Sequence, residues 1–129
     1  MIFGQPLVES QASQPSPIVA IDCEMVGVGP SIGYRRRGKC APNRRSALAR
    51  VSIVDFYGHI VLDVFIKQSE TVTDFRTNIS GIRPSDLNSE KAIPFATART
   101  LVSTILKGRI IVGHAIHNDL RVRFCVTIL

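Results

Sequence analysis

Two acidic residues stand two positions apart at the end of an apolar run and could together bind a divalent cation. Asp22 and Glu24 follow the apolar residues 18–21. A short β-branched run of this kind is typical of a strand buried on both faces of a sheet, and alternate residues of a strand project from the same face. Two neighbouring carboxylates repel each other, and a hard ion such as Mg²⁺ takes oxygen ligands and cancels the repulsion. The alternative is a strand whose end is exposed to solvent, where acidic side chains need no metal.

A third acid, Asp119, follows a second apolar segment at residues 109–113. The carboxyl end of a buried strand is where ligand clefts form in α/β sheets, although an aspartate there can also be a helix N-cap. The nearby residues His114 and His117 are potential metal ligands, but no second Cys/His pair accompanies them, so zinc is not expected. We predict that His114 orients its loop through a hydrogen bond, that His117 is exposed, and that His59 lies in a turn.

The elements that must position these residues are predicted from hydrophobic patterns and turn signals. Strands are expected near residues 17–25, 47–56, 60–66 and 109–113, and a helix at 94–107. Short connections imply that the first three strands form an antiparallel meander. A helix of crossover length places the fourth strand parallel to the first. The predicted fold class is therefore α/β with a mixed sheet.

Apolar positions in these elements give a predicted core. The strand at 47–56 contributes four candidates: Leu48, Val51, Ile53 and Val54. The helix, which begins at Pro94 and ends before Gly108, has one apolar stripe. Its members are Phe95, Ala98, Leu101, Val102, Ile105 and Leu106. Residues 67–92 are expected to be irregular, with one helical turn at Pro84–Leu87.

Length and composition indicate one globular domain. The 129 residues are 45% apolar and 20% charged, which excludes a disordered chain. Residues 1–16, rich in Gln, Ser and Pro, are predicted to be a flexible leader before a single domain at 17–129. No apolar run is long enough to span a bilayer, no signal peptide is evident, and three cysteines without CxxC spacing favour neither disulfides nor zinc. We expect an intracellular, reducing compartment and no membrane partner.

The positive charge of the chain comes from one region. Residues 31–50 hold seven of the 16 lysines and arginines and no acid, which leaves nine bases against ten acids elsewhere. The seven are Arg35, Arg36, Arg37, Lys39, Arg44, Arg45 and Arg50. Such a cluster can neutralise backbone phosphates without reading sequence, or act as a nuclear localisation signal. The alternative is a solvated loop.

Four segments carry a resemblance to a known family. The segments VAIDCEMVGVGP, SALARVSIVDFYG, VTDFRTNISGIRP and LKGRIIVGHAIHNDL occur in this order between about residues 17 and 120. They resemble the DEDDh family of 3′–5′ exonucleases, and within it the RNA exonuclease 4 and interferon-stimulated exonuclease branch. The loop after VGVGP looks longer than in that family. The resemblance implies a ribonuclease-H-like fold.

The same resemblance implies a site and its cofactors. Family members hold two divalent ions, Mg²⁺ or Mn²⁺, between four acids, and a histidine activates the attacking water. Asp22, Glu24 and Asp119 match catalytic acids that bind the metal ions. Met25 would lie against a terminal base, and Arg76 would contact phosphate or ribose. The alternatives are core packing for the methionine and a surface position for the arginine.

One family motif has no counterpart in this sequence. The HxxxED motif, which supplies the fourth acid and the general-base histidine, is not found in residues 120–129, whose apolar residues alternate as in a strand. We therefore expect a fold that is incomplete at the C-terminus, an unpaired sheet edge, and feeble or absent activity.

The functional hypothesis is a metal-dependent 3′–5′ exonuclease domain acting on RNA, with single-stranded DNA as the other substrate. By resemblance we expect a role in ribosomal RNA processing and residence in the nucleus or nucleolus. A second hypothesis is a non-catalytic nucleic-acid-binding or regulatory product that retains the basic region. The third is a non-functional fragment, which would show no cooperative thermal transition.

Overall fold

The computed structural model describes residues 16–29 and 45–114 with their side chains, and residues 34–36 and 39–41 by their backbone. Most of the predicted leader and all residues after His114 lie outside this part of the chain. The strands are β1 (Ile18–Val28), β2 (Tyr34–Arg36), β3 (Lys39–Ala41), β4 (Ser46–Asp55), β5 (Ile60–Phe65), β6 (Val72–Asp74) and β7 (Ile110–Val112). The helices are α1 (Thr77–Ser80), α2 (Pro84–Leu87) and α3 (Phe95–Leu106).

The main sheet has β1 at its centre. β4 pairs antiparallel with β1 on one edge and with β5 on its other side, so the predicted meander is confirmed. β7 pairs parallel with β1, with Ile18 opposite Ile110, as the crossover helix requires. β6 adds an antiparallel pairing at the far end of β1. The mixed α/β fold class is therefore confirmed, and the main sheet has one short strand, β6, beyond the four that the sequence predicted.

One face of the sheet packs on α3. The helix is buried through Ala98, Val102 and Leu106, which are four residues apart and form a single row. Pro94, the predicted first helical residue, is its N-cap, so the helix begins one position later than predicted. Phe95 and Leu101 are each 40% exposed, so the predicted stripe was too wide. The first core consists of Val19, Ile21, Leu48, Val51, Ile53, Ile66, Ala98, Val102 and Leu106.

The opposite face is covered at one end by the segment that contains α1 and α2. Ile82 is fully buried there and Leu87 is 7% exposed. Both pack against the second half of β1, and Val72 and Phe75 lie at the edge of the contact. The second core consists of Val26, Val28, Ala49, Ile82 and Leu87. Since this core reaches only as far as Val26, the middle of β1 on the same face is left to the acidic side chains of Asp22 and Glu24.

A β-bulge in β4 determines which face of the main sheet each side chain of this strand projects from. Glu24 lies opposite Arg50 and Met25 lies opposite Leu48, so Ala49 is an extra residue without a partner in β1. Leu48 and Val51 would face opposite sides of a regular strand, because they are three residues apart. The bulge brings both into the first core.

Three other features differ from the sequence predictions. β1 continues through Gly27 to Val28 because β4 and β6 pair with it there. The basic region contains the short hairpin β2–β3 where only a loop was expected. Ile110 and Val112 of β7 are 62% and 52% exposed, so the prediction that the fourth strand is buried was wrong.

In the described residues, no helix has the length and apolar character needed to cross a membrane.

Candidate functional site

The edge of β1 opposite β4 has a gap where the candidate acids lie. β7 pairs with residues 18–20 of this edge, and β6 pairs with Gly27 and Val28. Within the described ranges 16–29 and 45–114, no strand pairs with residues 21–26 on this side. A gap between two partner strands, at the carboxyl end of a parallel one, is a place where α/β sheets bind ligands.

The acidic pair lies within this gap. Asp22 is exposed and Glu24 is half-buried, and strand alternation directs both to the face that carries the second core. Burial raises the pKa of Glu24 above its usual 4.5, and the negative charge of Asp22 raises it further. The positive charge of Arg50 acts in the opposite direction. The two carboxylates therefore repel each other, and a cation bound between them would relieve the repulsion.

A second polar group adjoins the acids on the same face. Arg50 lies across from Glu24 in β4, and Ser52 lies across from Asp22. Both donate hydrogen bonds to the carboxylate of Asp63 on β5, a side chain that is only 5% exposed. The Arg50 guanidinium also stands 5.4 Å from the ring centroid of Phe65. The acidic pair is therefore flanked by a fixed, charge-compensated network.

The two predicted substrate contacts lie on different elements, Met25 on β1 and Arg76 at the N-cap of α1. Met25 packs against the first core, on the face opposite the acids. Arg76 is half-buried and has a left-handed backbone, with φ 51°. Asp74 Oδ1 accepts the Arg76 N–H at 3.0 Å, and Nη1 of Arg76 donates to Ser46 Oγ at 2.9 Å. A non-glycine residue held in this conformation is strained, and such strain is often found at binding sites.

The described residues fit part of a metal site. Asp22 and Glu24 offer the hard oxygen donors that Mg²⁺ and Mn²⁺ prefer. Across the ranges that the structure describes, no group of three His, Cys, Asp or Glu side chains is placed to hold a metal ion. The third predicted ligand, Asp119, lies outside these ranges, as does His117. Whether it joins the pair stays a prediction.

The two described histidines have different surroundings. His59 lies in the β4–β5 turn as predicted, and its Nδ1 is 3.1 Å from Asp55 Oδ2. Asp55 Oδ1 also accepts the backbone N–H groups of Tyr57 and His59, each at 2.8 Å. His114 is exposed just after β7. The carboxylate of Asp55 therefore orders the turn.

Sequence reasoning missed the network of Arg50, Ser52 and Asp63. A signal was present, since Asp63 is the single charged residue in the apolar strand IVLDVF. A lone acid in such a strand needs a partner, because an unpaired buried charge is costly. The partner depends on strand register, which the sequence does not reveal.

The basic region also has internal partners. Arg45 forms an ion pair with Glu70, and Arg50 is paired with Asp63. Two of its seven positive charges are therefore compensated within the fold. The side chains of the other five lie outside the described part of the chain.

Comparison with known proteins decides the family. The profile of the exonuclease family matches residues 19–124. The chain belongs to the exonuclease family. Over 111 residues it is 50% identical to RNA exonuclease 4 of Debaryomyces hansenii, covering 86% of this chain and 36% of that protein. Over 106 residues it is 49% identical to RNA exonuclease 4 of Xenopus laevis, covering 82% of this chain and 22% of that protein. The chain thus spans about a third or less of these exonucleases.

Solved exonuclease structures have the same fold. The Saccharomyces cerevisiae Pan2 pseudoubiquitin hydrolase–RNA exonuclease module in complex with AAGGA RNA superposes with a TM-score of 0.72 at 25% identity. The match covers 99% of this chain and 22% of that one. The Neurospora crassa Pan2 catalytic unit gives a TM-score of 0.66 at 25% identity, and this match covers 95% of this chain and 19% of that one. The ribonuclease-H-like fold implied by the sequence is therefore confirmed.

Proposed function

We propose that the chain is a metal-dependent exonuclease domain that removes nucleotides from the 3′ end of RNA, with single-stranded DNA as the alternative substrate. The observation that carries this proposal is the pair Asp22 and Glu24 in the gap along β1, in a chain of the exonuclease family. Relatives named RNA exonuclease 4, and Pan2 modules solved with RNA, support RNA as the substrate.

The residues have distinct roles in this proposal. Asp22, Glu24 and Asp119 would hold the ions through their carboxylates, and this is their catalytic role. Two divalent ions, Mg²⁺ or Mn²⁺, would supply an activated water and neutralise the charge of the phosphodiester. Arg76 would orient the terminal nucleotide through its fixed guanidinium. Met25 is proposed to contact the terminal base although it packs against the first core, so this role requires the base to reach the edge of β1. Among the described residues, no strand covers the edge of β1 between β6 and β7.

A labelled RNA tests the reaction and its direction. The purified chain is mixed with 5′-labelled single-stranded RNA in Mn²⁺, Mg²⁺ or EDTA, and the products are separated at single-nucleotide resolution. We expect a ladder that shortens from the 3′ end, needs the metal, and is lost in Asp22→Ala. A matched RNA with a blocked 3′ end should persist. Cleavage that continues in EDTA or in Asp22→Ala would contradict the proposal.

The rate for these 129 residues alone is expected to be low. They contain no HxxxED sequence after Asp119, and in the family that they resemble this motif supplies the general base. Loss of a general base lowers the rate by about 10²–10⁴-fold. Single-turnover measurements with excess protein are therefore the appropriate assay. Turnover as fast as that of a relative with the motif would contradict this expectation.

The second candidate is a non-catalytic nucleic-acid-binding product. Seven positive charges within residues 31–50 favour it, because such clusters bind phosphates through release of counterions. This candidate predicts RNA binding that weakens steeply with salt and no shortening of the RNA. Binding followed by loss of 3′-terminal nucleotides in Mn²⁺ would favour the exonuclease instead.

We also propose a nuclear or nucleolar location and a role in ribosomal RNA processing. The basic region and the similarity to RNA exonuclease 4 support this assignment. A fluorescent fusion of the chain, with and without the change of Arg35, Arg36 and Arg37 to serine, tests the location. We expect the nuclear signal of the first fusion to be lost in the second.

A further inference from the structure

Asp63 is the single buried acidic side chain in the part of the chain that the structure describes. Its Oδ1 accepts a hydrogen bond from Nε of Arg50 at 2.8 Å and another from Ser52 Oγ at 3.0 Å. Its Oδ2 accepts one from Nη2 of Arg50 at 2.7 Å. This two-point pairing is the strongest arrangement for a guanidinium and a carboxylate, and it fixes the plane of the arginine.

The residues that Asp63 binds are the direct neighbours of the candidate metal ligands. Asp22 lies opposite Ser52, and Ser52 lies opposite Asp63, so these three form one row across β1, β4 and β5. Glu24 and Arg50 belong to the next row. Directly opposed residues on one face have Cβ atoms about 4.5–5.5 Å apart. Arg50 is therefore near carboxylates on both of its neighbouring strands.

Arg50 donates two side-chain hydrogen bonds to the same side, toward β5. Nε and Nη2 point to Asp63 on β5, whereas Glu24 on β1 acts on Arg50 through its charge. Another acid that acts on Arg50 through its charge is Asp86. Its carboxylate accepts the N–H of Arg83 at 2.9 Å, at the start of α2. A guanidinium released from Asp63 would have Glu24, which lies opposite it on β1, and Asp86 as alternative partners.

We propose that Asp63 is a positioning residue that holds Arg50 away from the acidic pair, so that Glu24 and Asp22 remain available to a divalent cation. If Arg50 turned to Glu24, it would occupy carboxylate lone pairs that a metal ion needs and would add a positive charge at the same place. Asp63 prevents both effects by neutralising the arginine within the sheet. The inference rests on the proposed function, because it assumes that Asp22 and Glu24 bind the ion.

Four forms of the full chain test the inference: the unchanged protein, Asp63→Asn, Arg50→Gln and the double variant. Mn²⁺ binding is measured by calorimetry at neutral pH, and circular dichroism checks that each form is folded. We expect Asp63→Asn to weaken Mn²⁺ binding by about 10–100-fold, the usual range for residues that support metal ligands. Arg50→Gln should bind nearly as well as the unchanged protein. The double variant should recover the affinity of Arg50→Gln, because the arginine that competes with the ion is gone.

Recovery in the double variant separates this role from a structural one. If Asp63 only stabilises the sheet, the double variant will bind Mn²⁺ as weakly as Asp63→Asn, and the inference is overturned. Unchanged affinity in Asp63→Asn also overturns it. Should that variant fail to fold, Arg50→Lys replaces it, since lysine keeps the charge but cannot pair with Asp63 at two points. Binding weaker in Arg50→Lys than in Arg50→Gln supports the inference, and the reverse order contradicts it.

Asp22→Asn distinguishes failure of this inference from failure of the proposed function. If the unchanged chain does not bind Mn²⁺, or if Asp22→Asn binds it equally well, the proposed metal site is wrong. If Asp22→Asn loses binding while Asp63→Asn retains it, the metal site stands and only the role of Asp63 is rejected.

Discussion

The side chain of Asp74 lies against Gly27, whose missing side chain leaves room for it, and the guanidinium of Arg76 lies beside them. A Cβ atom built on Gly27 would be 3.5 Å from Nη2 of Arg76 and 3.1 Å from Cβ of Asp74. Asp74 in turn accepts the backbone N–H of Arg76. The position of Asp74 therefore depends on the absence of a side chain at Gly27, and the position of Arg76 depends on it through the hydrogen bond to Asp74.

Gly27→Ala should weaken RNA binding through this contact. The added methyl group displaces Asp74, and the shift reaches Arg76 through their hydrogen bond. Loss of one such bond corresponds to about 1 kcal/mol, or about fivefold in affinity. Fluorescence anisotropy with a short RNA in EDTA measures the effect. Ser103→Ala, a change at an exposed position of α3, is the control. Equal affinities in the two variants would show that Arg76 does not depend on Gly27.

Glu24→Gln should stabilise the metal-free chain at pH 7 but not at pH 4. The pKa of Glu24 is raised, first by burial and then by Asp22, so its ionised form is disfavoured in the folded state. This destabilisation is absent below 4.5, the pKa of Glu24 in the unfolded chain. It is fully present above the raised pKa that Glu24 has in the folded chain. We expect a gain below about 1 kcal/mol, since the side chain is partly exposed. Urea unfolding in EDTA at the two pH values measures it.

The matched control for that experiment is Glu70→Gln. Glu70 is an exposed carboxylate that pairs with Arg45, so removal of its charge should not increase stability. An equal gain in both variants would indicate a general effect of net charge rather than repulsion between Asp22 and Glu24.

Leu106→Ala should destabilise the chain far more than Leu101→Ala, although both leucines lie on α3. Leu106 is 3% exposed in the first core, whereas Leu101 is 40% exposed. Truncation of a buried leucine costs about 2–5 kcal/mol because it leaves a cavity. Truncation of the exposed leucine should cost about 1 kcal/mol or less. Urea unfolding at pH 7 measures both, and similar losses would contradict the orientation of α3.

Asp55→Asn should lower the thermal midpoint at pH 7, and the difference should shrink as the pH falls. Burial acts to raise the pKa of Asp55, but hydrogen bonds from His59 and Tyr57 outweigh it and lower the pKa below 3.8. The carboxylate therefore contributes stability above its unfolded pKa, and this is lost as the pH falls through the folded value. Thermal unfolding between pH 3 and 7 measures the trend. Glu90→Gln, a change at an exposed position outside the turn, should have the same thermal midpoint as the unchanged protein at each pH.

Much of the sheet could be predicted because it depends on local patterns. The meander β1–β4–β5 follows from apolar runs and a short turn at Gly58, and the parallel β7 follows from the length of α3. β6 could not be predicted in the same way. Its three residues are too few to show a period, and their pairing with Gly27 and Val28 is fixed only by the folded chain.

The candidate site was predicted only in part, for a related reason. Asp22 and Glu24 share a face because strand alternation is a property of adjacent residues. The pairing of Arg50 with Asp63 depends instead on the register between two strands, which also includes a bulge. The roles of Asp119, Met25 and Arg76 as site residues remain predictions.

The extra residue in β4 has a consequence for how this strand tolerates changes in length. Ala49 and Arg50 are consecutive, yet Ala49 packs in the second core while Arg50 joins the polar network of the same face. Deletion of one residue normally turns the rest of a strand inside out. Removal of Ala49 would instead restore strict alternation and leave Leu48 and Val51 directed at α3. Deletion of this single codon would therefore remove the bulge without exchanging the apolar and polar faces of the strand.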